Sequence, residues 1–211
     1  MSIGPDRVWS WATTESEVDQ RRQHAEQLVG QYISRVRYYT IDYRREELHP
    51  ELIDSGPRFI DGDSEWDQPT WRYDGFDAMD FGIELETDTG AFFALTWDPP
   101  GYREGIGLQN VAMLGGGVQR DADVAIWDVS TRASNWRPLI GNRLTGLELH
   151  YLPWDDQESG FWCQHITFRS EGSSVEVVMG DADNGVLVPS ADNVAVLQAG
   201  TPLPRWAAAE R

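Results

Sequence analysis

The sequence predicts an α+β protein, predominantly antiparallel β in a sandwich or half-barrel, with one N-terminal helix packed on the sheet. Three observations predict it. A capped helical period opens the chain, apolar runs alternate between glycine turns from position 79 onward, and two of the resulting hairpins resemble each other. At 211 residues, 40% of them hydrophobic, the chain suits a single domain spanning 1–211 with a core of its own.

The helix is read over 14–29. Thr14 followed by Glu17 has the spacing of a capping box, Val18, Ala25, Leu28, Val29 and Tyr32 recur at helical intervals, and Gly30 supplies a stop. Residues 32–43, YISRVRYYTIDY, alternate as a strand. The segment 44–78 carries Pro50, Pro57 and Pro69 among scattered glycines and acids, and reads as a long acidic, aromatic loop.

The β-rich body is expected over 79–198. GIELETDTGAFFALTW turns at Asp88-Thr89-Gly90, with Ile83, Leu85 and Thr87 opposed to Glu84, Glu86 and Asp88. DPPGYREG is a turn-rich loop. IGLQNVAML and DVAIWDVS are further strand candidates, and Gly115-Gly116-Gly117 marks a wide turn or bulge between them. RASNWRPLIGNR reads as a turn or one helical turn. In RLTGLELHYLPW, Leu144, Gly146, Glu148 and His150 alternate with Thr145, Leu147, Leu149 and Tyr151. HITFRSEGSSVEVVMG turns near Glu171-Gly172-Ser173, and DNVAVLQAG closes the pattern. Each hairpin leads through a loop to a strand ending in Leu-Gln, which suggests either a duplicated unit or two meanders obeying the same hairpin rules. The tail 199–211 is peripheral, with Trp206 its candidate anchor.

Charge narrows the function. There are 35 acids against 17 bases, a formal charge of −18, and every base is arginine. Without lysine there is no Schiff-base chemistry and no Walker-type phosphate loop. Such a charge repels phosphate and anionic lipid, so neither direct nucleic-acid nor membrane binding is expected. A basic protein is the favoured partner, and solubility alone is the competing explanation. The N-terminus shows no signal-peptide pattern and no window reaches 18 apolar residues, so a cytoplasmic protein is expected. The sequence leaves the oligomeric state open.

Chemistry-bearing motifs are weak. Cys163 is the one cysteine and cannot form an internal disulfide. Cys163 and His165 share a strand face by spacing but lack a second zinc-ligand pair. Asp181-Ala-Asp183-Asn-Gly185 starts like a calcium loop, yet its glycine arrives one residue early and Asp192 stands where a bidentate Glu belongs, so an ordinary turn is the better reading. No cofactor, metal or catalytic residue is assigned.

One stretch stands out. FIDGDSEWDQPTWRYDGFDAMDFG, residues 59–82, sets seven acids among two Trp, one Tyr and three Phe, with Arg72 the only base. Rings at the rim with carboxylates around them suit recognition of a cationic protein surface. The candidate contacts are Asp61, Asp63, Glu65, Trp66, Asp67, Trp71, Tyr73, Asp74 and Asp77. Inward packing of the rings is the competing reading. The same Trp and Asp residues also suit a carbohydrate-binding or carbohydrate-active protein, and a structural subunit of a larger assembly is a third possibility.

The motif NWRPLIGNRLTGLELHYLPW at 135–154, followed by the HITFRSEGSSVEV hairpin, resembles small acidic bacterial immunity proteins of polymorphic-toxin systems. The likeness covers roughly 135–179. It implies an α+β inhibitor without catalysis that covers a cognate toxin domain. No individual residue carries over, because such proteins bind through divergent surfaces.

Overall fold

The computed structural model describes residues 7–8, 11–52, 55–97, 105–116, 118–132, 135–153 and 160–208. The turn-rich loop expected at 98–105 falls almost wholly outside them, as do Gly117, part of the turn at 132–143, Trp154 and the last three residues of the tail.

Two mostly antiparallel sheets face each other. Strands β1 (Arg7–Val8) and β2 (Trp11–Ala12) precede helix α1 (Glu15–Ala25). Then come β3 (Ile33–Ile41), α2 (Arg45–Leu48), β4 (Arg58–Phe59), α3 (Asp63–Trp66), β5 (Phe76–Met79), β6 (Gly82–Thr87), β7 (Phe92–Trp97), β8 (Ile106–Gln109) and β9 (Val124–Asp128). The last four are β10 (Gly146–Pro153), β11 (Phe161–Ser170), β12 (Ser173–Asp183) and β13 (Val186–Leu197). The first sheet runs β1-β8-β7-β6-β3-β9-β4 and the second β10-β11-β12-β13-β5, with β2 beside β11. The single parallel pair among them is β4 with β9.

The helix starts as expected, with Thr14 as its N-cap accepting from the Glu17 amide at 3.2 Å. The box is shifted by one residue: the Glu17 carboxylate accepts from the amide and hydroxyl of Thr13. A 3-10 turn over Glu26–Leu28 ends the helix, and Gly30 follows with φ +93°.

The core lies between the sheets. Val36, Ile83, Leu85, Phe93 and Leu95 from one pack against Ile166, Phe168, Val177, Met179 and Val194 from the other, with Ala25 and Leu28 from the helical segment. Each outer face is partly covered. Met113 and Val118 lie over Tyr39, Ala94 and Ile126. The tail lays Leu203, Trp206 and Ala207 over Phe76, Val178, Ala195 and Leu197, so Trp206 does anchor it.

The expected long loop is more structured than its composition suggests. It contains α2, α3, β4 and most of β5, elements of two to four residues, too short for any period to show. Gly82 has a backbone requirement: with φ +136°, a Cβ there would lie 2.1 Å from the Leu95 carbonyl oxygen.

The look-alike hairpins occupy equivalent places, each inside a four-stranded antiparallel run: β3-β6-β7-β8 in one sheet, β10-β11-β12-β13 in the other. Their matching leucines diverge, since Leu108 enters the main core and Leu197 the outer cluster beneath the tail. The last strand also begins earlier than its alternation shows. The register between β12 and β13 breaks at Met179/Gly180, where Val194 and Pro189 are the successive partners.

Candidate functional site

The segment 59–82 folds its rings inward. Gly62 caps α3, which turns Trp66 toward the core, where its indole N–H donates to the Ile60 carbonyl at 3.1 Å. Trp66, Trp71 and Trp127 meet edge to face at centroid distances of 5.2–6.1 Å, and Tyr38 meets Trp71 at 4.9 Å. Trp71 is 1% exposed and Trp66 8%. Arg132 lies over the Trp66 ring at 4.8 Å and pairs with Asp63 at 3.2 Å.

This corrects the expected contact surface. Of its nine residues, Glu65, Trp66, Trp71 and Asp77 are interior, Tyr73 is half-buried on Phe76, and Asp61, Asp63, Asp67 and Asp74 are exposed. The cause is size: an indole offers roughly 150–250 Å² of mostly apolar surface, far more than a short charged loop gains by showing it to water.

The interior carboxylates are paired or hydrogen-bonded. Glu65 and Asp42 hold Arg58 between them, at 2.8 and 3.0 Å. Asp77 accepts from the Tyr38 hydroxyl at 3.0 Å and from Asn135 Nδ2 at 2.7 Å, and Trp136 Nε1 donates to that hydroxyl at 2.7 Å. Burial raises the Asp77 pKa to about 7, against the opposing pull of the Tyr38 bond and Arg72.

A second cluster lies on the outer face of β10-β11-β12, in a cavity of about 400 Å³ bordered by residues 197–203. The His150 and His165 rings stack at 4.3 Å, 10° from parallel. His165 Nε2–H donates to Glu176 Oε2 at 2.7 Å, and the Thr167 hydroxyl donates to the same oxygen at 2.6 Å. With its proton committed there, Thr167 accepts from His150 Nε2–H at 3.0 Å. Ser174 donates to the other Glu176 oxygen. Despite partial burial, these bonds bring the Glu176 pKa down to about 2. Burial lowers the His150 pKa, and His165 beside it adds to the effect.

This network holds geometry without activating a nucleophile. The Thr167 proton faces a weakly basic carboxylate rather than an imidazole lone pair, whereas an activated hydroxyl gives its proton to a competent base. The thiol plays no part. A bulge at Gln164, between the pairs His150–His165 and Tyr151–Cys163, puts Cys163 in the core while His165 stays on the outer face. The two residues therefore do not share a face, as spacing alone predicts. Burial pushes the Cys163 thiol up to about 12.

The calcium-like stretch is a tight hairpin. Asp183 pairs with Val186 across Asn184 and Gly185, which take φ of +50° and +79°. Among the described residues no group of three or more His, Cys, Asp or Glu side chains is arranged to hold a metal ion, and no helix is long and apolar enough to cross a membrane.

Comparison with protein-family models, curated proteins and solved structures gave no match to this chain.

Proposed function

We propose that the chain is a non-enzymatic acidic binding protein whose partner is a basic protein, in the manner of an immunity protein that neutralises a toxin domain. The observation that carries this reading is how the fold spends its few bases. Arg35, Arg37, Arg45, Arg58, Arg132 and Arg169 all pair with carboxylates of the chain itself. Asp61, Asp67 and Asp74 are exposed and make no ion pair among the described residues. The negative field is thus left for a partner to meet, which favours fast, salt-sensitive association. The resemblance of 135–179 to immunity proteins supplies the class of partner. Sugar stacking on Trp66 and Trp71 loses its platform, because neither ring face is offered to solvent.

The test compares the wild-type chain with D61N/D67N/D74N, each immobilised and exposed to lysate of the source organism at low and high salt. The wild type should retain a protein of high isoelectric point at low salt and release it at high salt. The triple variant should associate more slowly, with a flatter salt dependence. Equal association of both chains with the captured protein at every salt concentration would overturn this surface, and turnover of an oligosaccharide would overturn the class.

A further inference from the structure

We propose that a small electronegative cup where the two sheets adjoin is the seat for an arginine side chain presented by the partner protein. The inference deepens the proposed function by naming the group that is received, but it rests on different residues. The cup measures about 310 Å³. Thr40 and Tyr43 at the end of β3 form one wall, Trp71 and Tyr73 another, and Asp80 follows β5. Asp181 and Asn193 come from opposite sides of the register break between β12 and β13.

Three features specify a cation. Two carboxylates line the cup and no basic side chain does. The mutual field is felt: the Asp181 charge helps raise the pKa values of Asp80, Tyr43 and Tyr73, in each case adding to the effect of burial. Asp80 is fixed in place, accepting from the Ile41 amide and the Tyr43 hydroxyl, both at 2.9 Å. Asp181 accepts from the Ala182 amide through Oδ1 at 2.6 Å, and Oδ2 has no partner among the described residues. Tyr43, 60% exposed, and half-buried Tyr73 add ring faces on which a guanidinium can lie.

A separate observation calls for more than a bare cation. Trp71 forms part of the wall and is 1% exposed, yet its Nε1–H has no hydrogen-bond partner among the described residues. A buried donor without an acceptor is uncommon in folded proteins. A peptide-borne arginine brings both complements, a guanidinium for Asp80 and Asp181 and a carbonyl for the indole after a small adjustment of the wall. A free polyamine brings only the first.

The experiment titrates the full chain with N-acetyl-arginine methylamide, its neutral citrulline counterpart and agmatine, following the indole N–H signals by NMR. The Trp71 signal is assigned from its loss in Trp71→Phe, and if that variant does not fold, Asp181→Asn and Tyr43→Ala carry the test. Blocked arginine should bind and shift the Trp71 signal, blocked citrulline should not, and Asp181→Asn should weaken binding by about tenfold while leaving Tm unchanged. Equal binding of citrulline, equal affinity in Asp181→Asn, or agmatine binding as tightly as blocked arginine would overturn the proposal. Partner capture that is lost in D61N/D67N/D74N but unchanged in Asp181→Asn would sink this inference and leave the proposed function standing.

Discussion

Asp77 should make the protein less stable as pH rises from 3.8 to about 7. Its side chain points between the sheets, 1% exposed, among Tyr38, Asn135 and Trp136. Its pKa rises from the ordinary 3.8 to about 7 in the fold. For an acid shifted upward, the folded chain holds a proton that the unfolded chain has already released. Below pH 3.8 both states are protonated and nothing is lost. Between that value and pH 7 each unit costs about 1.4 kcal/mol, so the penalty saturates on the order of 4 kcal/mol above pH 7. Asp77→Asn removes the ionisation and keeps an oxygen that accepts from Tyr38. The variant should therefore match wild type at about pH 3, below the ordinary carboxylate value, and exceed it by on the order of 1–4 kcal/mol at pH 8. Urea unfolding followed by tryptophan fluorescence across that range measures the difference. Parallel stability curves for the two proteins would show that Asp77 does not titrate between the sheets and would refute the reasoning.

Other perturbations test separate parts of the structure. Arg58→Ala leaves Asp42 and Glu65 buried without their shared base and should cost about 3–5 kcal/mol in chemical denaturation. Trp71→Ala removes the ring at the centre of the aromatic cluster and should cost about 3–5 kcal/mol, whereas a rim ring would cost little. Glu176→Gln should weaken the hold on His165, visible by NMR as faster solvent exchange of its Nε2–H proton than in wild type. Gly82→Ala should prevent the close approach of β6 and β7, so failure to express soluble chain is the expected outcome, and a wild-type melting curve would contradict the geometry.

The sequence made local order legible wherever a period ran long enough. Thr14 and the spacing of Val18, Ala25 and Leu28 located the helix, and Gly90 and Gly172 located two hairpins. Where β-structure came in pieces of two or four residues, composition misled, as with β4 and β5 inside an apparent loop. Asp77 on the core face of β5 breaks the apolar-in rule that alternation relies on, because Tyr38 and Asn135, distant in sequence, make it tolerable there. The Gln164 bulge reversed the relation between Cys163 and His165, and no pattern within β11 announces it. The candidate surface failed in the same way: acids and rings adjacent in sequence separate by solubility in the fold, and the exposed ones alone remain as candidates. The cup of Asp80 and Asp181 was invisible for the opposite reason, since most of the β body lies between its two carboxylates.

That separation decides how the excess charge should be understood. Interior carboxylates are structural: Asp42, Glu65 and Glu84 hold Arg45, Arg58 and Arg37, and an isolated buried arginine would be untenable without them. These three pairs consume bases and acids together, so they leave the net charge unchanged. The formal net charge of −18 stays uncompensated, and its field acts over roughly the Debye length of 8–10 Å at moderate salt. An approaching cationic protein would be drawn in by Asp61, Asp67 and Asp74 before any contact forms, while selection among such proteins requires a shaped recess. The cup lined by Tyr43, Asp80 and Asp181 offers that shape. On the proposed reading, steering and recognition would reside in different residues, and the triple-Asn variant and Asp181→Asn should affect association and dissociation rates respectively.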